Sequence, residues 1–192
     1  MVIRKTFKSE CAHIVRGAYT HLCKCNFHGH SYVYELFLKS DTLDNAGMVT
    51  DFTFVKKYFK SLFDSFDHAS VLLTSEKPEI LNCFKNNFER VIISKWNSTA
   101  ELQSMFFTYI GCKIIDYLTE NRLWENGETG VTIDSVIVHE TQSGYAKTTM
   151  HDITMVSLEK RKIFNDIEFS NGIQKEWTPE FKKFWEWLKE NN

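Results

Sequence analysis

The stretch from Phe27 to Lys39, Phe-His-Gly-His-Ser-Tyr-Val-Tyr-Glu-Leu-Phe-Leu-Lys, reads as a β-strand with two imidazoles at its head, being rich in residues that favour strands. Successive strand residues point to opposite faces, so His28, His30, Tyr32 and Tyr34 share one face and the two imidazoles aim at one point. Two convergent imidazoles are half a zinc site, and Gly29 between them lets a ligand or a second backbone come close. An His-x-His pair also arises by chance in edge strands, so alone it does not establish a metal. Both faces of the strand are partly apolar, which predicts that both are covered.

The flanking segments set the rest of the fold class. Residues 2 to 14 mix β-branched and aromatic residues with charges and predict a first strand ending near His13, followed by a loop over 15 to 26. Asp51 stands as an N-cap ahead of Phe52, Val55, Phe59, Leu62, Phe63 and Phe66 at helical spacing. Residues 67 to 77 read as a loop, Pro78 to Phe88 as a short helix and Arg90 to Ser94 as a short strand. Ser98-Thr99-Ala100-Glu101 fits a capping box, and Leu102, Phe106, Ile110, Ile114 and Leu118 then repeat as a long helix. Val131 to Thr141 reads as a strand buried on both faces, and Gly144 to Met150 as a further strand. Two strands, helices and two more strands predict an α+β arrangement, with helices on one face of an antiparallel sheet.

With 192 residues the chain suits one domain with an appendage. The domain spans 1–150; from 151 to 192 charge rises and periodicity fades, which marks a C-terminal extension. Its tryptophans, Trp177, Trp185 and Trp187, predict a helix at 178 to 190 docked on the body or on a neighbour. A formal net charge of −2 gives no sequence-wide field for nucleic acid or an anionic membrane. No apolar run approaches a membrane span or the core of a signal peptide, and five cysteines without a secreted framework favour a reducing cytosol. The expectation is a cytoplasmic protein that binds neither nucleic acid nor membrane.

Several residues carry chemical potential. His13 ends the strand that would pair with the histidine strand, and three imidazoles with one open position describe a catalytic zinc rather than a structural one. Cys23 and Cys25 precede the pair, either as a compact structural knuckle with His28 and His30 or with one thiol acting beside the metal. Asp67-His68 follows the first helix, where a carboxylate that holds an imidazole makes a relay; a helix-terminal histidine is the plainer reading. Glu140 continues the face of Val136 and Val138, so its carboxylate is either leaving the sheet for solvent or must be paired, hydrogen-bonded or waiting for a ligand with a guanidine-like edge, as on guanine or a pterin.

Cys11-Ala12-His13, Cys23 before His28-Gly29-His30, Val49-Thr50-Asp51-Phe52, Asp67-His68, Asn97-Ser98-Thr99-Ala100-Glu101 and Val138-His139-Glu140-Thr141 come in an order that resembles the 6-pyruvoyltetrahydropterin synthase family, and within it the bacterial 6-carboxytetrahydropterin synthases of queuosine biosynthesis. The resemblance covers about residues 1 to 148 and leaves the extension aside. It implies a tunnelling fold (T-fold), a four-stranded antiparallel sheet with two main helices on one face, assembled as a homohexamer of two trimers. It further implies zinc on His13, His28 and His30, Cys23 as the catalytic thiol with Asp67 and His68 completing its relay, and Glu140 as the pterin anchor. The implied substrate is 7,8-dihydroneopterin triphosphate, converted to 6-carboxy-5,6,7,8-tetrahydropterin with loss of acetaldehyde and triphosphate. The pyruvoyl-type synthase, which eliminates triphosphate alone, uses the same residues, and a non-enzymatic zinc protein is the remaining alternative. Three positions depart from the family pattern: neither Cys23 nor Cys25 stands at the commonest bacterial spacing, Ser98 replaces a usual proline, and Ala69-Ser70-Val71 replaces bulky residues after Asp-His.

Overall fold

The computed structural model describes residues 1–155 and 164–191. In chain order its elements are β1 (Val2–His13), α1 (His21–Cys25), β2 (His28–Lys39), α2 (Phe52–Asp64), β3 (Ala69–Leu73), α3 (Pro78–Asn87), β4 (Val91–Ser94) and α4 (Ala100–Glu120). There follow β5 (Thr132–His139), β6 (Tyr145–Thr149), α5 (Met150–Met155), β7 (Ile167–Phe169), α6 (Asn171–Glu176) and α7 (Pro179–Glu190). The seven strands form one mixed sheet in the order β6-β5-β2-β1-β3-β4-β7.

The expected antiparallel unit is present as β1, β2, β5 and β6, but it is the larger part of the sheet rather than the whole. β3 adds to the end of β1 in parallel, β4 adds to β3 in parallel, and β7 closes that side antiparallel to β4. Residues 69–73 therefore correct the loop expected over 67 to 77. Parallel strands buried on both faces lack alternation, and Val71-Leu72-Leu73 is too short a run to separate from an apolar turn. The loop expected over 15 to 26 contains the one-turn helix α1.

Two helices cover one face. Asp51 caps α2, its Oδ1 accepting the Thr53 amide at 2.5 Å. The cap of α4 is Thr99, not Ser98: Thr99 Oγ1 accepts from Leu102 N, while Ser98 Oγ accepts from Gln103 Nε2 at 2.9 Å. Between helices and sheet lies an aromatic core. Phe7 stacks on Phe63 with ring centroids 4.4 Å apart, and Tyr34 meets Phe107 edge-on at 4.9 Å. Such pairs add about 0.5–1.5 kcal/mol each beyond the area they bury.

The C-terminal segment joins this core. Trp177 packs among Phe169, Phe181 and Trp185, and its indole N–H donates to Ser65 Oγ at 2.8 Å. Thr178 caps α7 by accepting from Phe181 N and donates to the Lys57 carbonyl of α2 at 3.1 Å. Since Trp177 is 5% exposed and its indole proton is satisfied, Trp177→Ala is expected to cost about 3–5 kcal/mol of unfolding free energy, measured by urea titration. A loss below about 1 kcal/mol would show that the segment is not part of the cooperative core.

Candidate metal centre

Register places the site. In the antiparallel β1–β2 ladder His13 lies directly opposite His28, and Cys11 lies opposite His30. The pleat sends His28, His30, Tyr32 and Tyr34 to the helix-covered face as a continuous run of rings, with centroids 5.0, 5.7 and 5.9 Å apart in succession. The run leads from the end of the sheet into the core.

The donor atoms of His13, His28 and His30 all lie within 4.8 Å of one another, and this is the one group among the described residues able to hold a metal ion. Second partners fix two of the tautomers. His13 Nδ1 is 2.6 Å from the Ser98 carbonyl and His28 Nδ1 is 3.0 Å from the Asn26 carbonyl. A carbonyl only accepts, so each Nδ1 carries the proton and each Nε2 presents a lone pair. Those two Nε2 atoms stand 3.2 Å apart. Two acceptors that close repel unless a proton or a cation sits between them. Burial holds His13 below the usual imidazole range, which disfavours the proton. Tetrahedral coordination at about 2.0–2.1 Å would set nitrogens roughly 3.3 Å apart, close to the separation observed.

Glu140 follows β5 at the rim of this centre. Its Oε1 accepts from Tyr32 O–H at 3.0 Å and lies 3.9 Å from His13 Nε2, with the side chain 30% exposed. The carboxylate therefore reaches the cluster from one side and keeps free lone pairs toward solvent. Burial and the Glu140 charge push the Tyr32 phenol well above its ordinary range, so it stays a donor.

The other expected residues stand outside the cluster. Cys23 is half-buried and Cys25 exposed on α1, the segment whose end supplies the Asn26 carbonyl; the four donors of a Cys–Cys–His–His knuckle do not gather. Cys11, although opposite His30, is buried with its thiol pushed up to about 12, chiefly by desolvation, and so is no nucleophile near neutrality. Asp67 and His68 are bonded to each other, Oδ2 to Nδ1 at 3.0 Å. Both also grip the Glu10 backbone: Asp67 Oδ1 accepts from Glu10 N at 2.9 Å and His68 N donates to Glu10 O at 2.7 Å. His68 adopts φ 52°, a left-handed conformation uncommon outside glycine, at the turn into β3. With Glu10, Cys11, Ala12, Gly29, His30, Ser31, Ala69 and Ser70 it lines a cavity of about 340 Å³ that reaches one histidine of the cluster.

Sequence reasoning missed the second-sphere groups. The Ser98 and Asn26 acceptors are backbone carbonyls and have no residue signature. Gln103 had one, as a polar side chain on an apolar helix face; it is fully buried and its Nε2 also reaches the Ser98 carbonyl at 3.4 Å.

The sheet thus ends in three converging imidazoles beneath two helices, a candidate metal-binding site on an α+β scaffold. Residues 2–151 match the family model described as 6-pyruvoyl tetrahydropterin synthase, and the chain belongs to that family. The 6-carboxy-5,6,7,8-tetrahydropterin synthase of Helicobacter pylori strain J99 is 33% identical over 177 residues, covering 92% of this chain and 86% of that protein. The protein of the same description from Aquifex aeolicus is 34% identical over 162 residues, covering 76% of this chain and 95% of its own. Among solved structures, 6-pyruvoyl tetrahydropterin synthase from Plasmodium vivax matches with TM-score 0.53 and 17% identity over 77% of this chain and 97% of that one. A Wolinella succinogenes protein described as uncharacterized matches with TM-score 0.53 and 20% identity over 78% and 98%. These structural likenesses bear on the fold.

The lowered pKa of His13 has a consequence for stability. Its folded value lies below the unfolded value of 6.5, so its contribution is fully present above that pH and is lost as pH falls through it. Chelator-treated protein should lose urea resistance as pH falls below 6.5, and His13→Asn, whose amide can still donate to Ser98 O, should flatten that slope. Equal slopes in the two proteins would remove His13 as the cause.

Proposed function

We propose that the protein is a zinc-dependent lyase that converts 7,8-dihydroneopterin triphosphate to 6-carboxy-5,6,7,8-tetrahydropterin with release of acetaldehyde and triphosphate. The observation that carries this reading is the three-imidazole cluster with fixed tautomers in a chain 33% identical, over 92% of its length, to a protein described as 6-carboxy-5,6,7,8-tetrahydropterin synthase. The donor set, all nitrogen with an open side, suits Zn²⁺ in a catalytic role. Bound there, zinc supplies Lewis-acid polarisation of substrate oxygens.

The chain's own residues supply the rest. Glu140, held by Tyr32, offers two carboxylate oxygens to the amino-pyrimidine edge of the pterin and so orients the side chain over the histidines. Cys23 as thiolate takes the proton from the side-chain carbon, and the Asp67–His68 pair carries protons to and from the reacting oxygens. That pair is largely exposed in one subunit, so its place in the reaction is at a subunit boundary. The outer edges of β6 and of β1 over residues 2–10 have no strand neighbour among the described residues, which supports sheets joined between copies in a hexamer of two trimers. In this reading residues 1–150 are the T-fold domain and 151–192 an extension docked on it. Five cysteines with no disulfide support a cytoplasmic protein.

Zinc-loaded protein given the dihydroneopterin triphosphate is expected to release acetaldehyde and triphosphate in equal amounts, read by a coupled alcohol dehydrogenase assay. Triphosphate without acetaldehyde would move the assignment to the pyruvoyl-type synthase. Cys23→Ser should lower kcat by ~10²-fold or more with zinc retained, whereas Cys25→Ser should stay near wild type. Glu140→Gln should act mainly on KM.

A further inference from the structure

The segment that carries Cys23 is held at its end by the histidine cluster, through Asn26 and His28, and in its middle by Arg16. Arg16 follows β1 and sends its guanidinium to two groups at once. Nε and Nη2 each donate to one oxygen of Glu76 at 2.7 Å, and Nη1 donates to the Lys24 carbonyl at 3.1 Å. Lys24 lies between the two cysteines of α1.

Exposed ion pairs contribute little, but this one is not exposed on both sides. Glu76, in the turn between β3 and α3, has a side chain only 5% exposed. A carboxylate so buried requires a partner, and the planar fork of arginine matches both its oxygens. The backbone around Arg16 is fixed as well. Its carbonyl accepts from Asn97 Nδ2 at 2.9 Å, and the Val15 amide donates to the Cys23 carbonyl at 3.0 Å. Asn97 immediately precedes Ser98, whose carbonyl orients His13. One side chain thus ties the cysteine helix to the turn after β3, while its own carbonyl ties it to the start of α4.

We infer that Arg16 and Glu76 form a clamp that sets the Cys23 segment against the histidine centre, with Arg16 a positioning residue for proton transfer. This rests on the reading of Cys23 as the thiol. Lysine at position 16 keeps a cation for Glu76 but lacks the fork that reaches both Glu76 and the Lys24 carbonyl. Glutamine at position 76 removes the buried charge while leaving Arg16 in solvent. Neither change strands an unpaired charge in the interior.

The test uses zinc-loaded full-length wild type, Arg16→Lys and Glu76→Gln, compared by amide hydrogen exchange and by steady-state kinetics. Exchange over residues 15–26 is expected to rise ~10-fold in both variants, while β1, β2 and zinc content are unchanged. With the thiol misplaced, kcat should fall ~10- to 100-fold and KM should stay within about twofold. Wild-type exchange in both variants would overturn the clamp, and faster exchange with unchanged kcat would overturn the positioning role. Absence of acetaldehyde from the wild type would count against the lyase reading, while the clamp would still stand or fall on the exchange data.

Discussion

The hydrogen bond from His13 Nδ1 to the Ser98 carbonyl, 2.6 Å long and buried, joins the end of β1 to the start of α4. It decides which nitrogen of His13 carries the proton, and so which one is left to face His28 and His30. It also requires that α4 begin where it does. Thr99 caps the helix one residue later, which leaves the Ser98 carbonyl turned toward the sheet, and Gln103 braces the same residue from inside the first turns. The histidine cluster is therefore assembled where the end of β1, the start of β2 and the start of α4 meet, each fixed by its own local chemistry.

From that point one sheet face runs inward without a break. His28, His30 and Tyr32 meet edge to face, Tyr32 and Tyr34 lie stacked and nearly parallel, and Tyr34 continues into Phe63 and Phe107 of the two covering helices. Packing of the core thereby orients the imidazoles, since a ring in such a row cannot turn without displacing its neighbour. Tyr32 is the member with two duties: it fills the row, and its hydroxyl holds Glu140 beside His13. The same strand that carries two of the three histidines also holds the Glu140 carboxylate, through Tyr32.

Much of this was legible in the residues because it depends on period and parity. The alternation of β2 put both histidines on one face, and helical spacing located α2 and α4. The position of Glu140 followed from the parity of Val136 and Val138. Other features carry no such signal. The Asn26 and Ser98 acceptors are backbone atoms, which any residue provides. β3 and β7 are short strands whose identity comes from the strands beside them, β1 and β4, rather than from their own sequence. Adjacency in sequence left open whether Asp67 and His68 bond to each other; they do, and their grip on the Glu10 backbone accompanies the parallel join of β3 to β1, which has no signature in their own residues.

Two carbonyls turn two imidazoles so that, with His30, three nitrogen donors gather where one cation could bind. Anomalous diffraction at the zinc absorption edge from crystals grown with zinc tests it most directly. The account predicts one peak per chain about 2.0–2.1 Å from nitrogens of His13, His28 and His30, with the Nε2 atoms of His13 and His28 as donors and neither Cys23 nor Cys25 in contact. A peak ligated by either cysteine, or no peak at the three histidines, would contradict it.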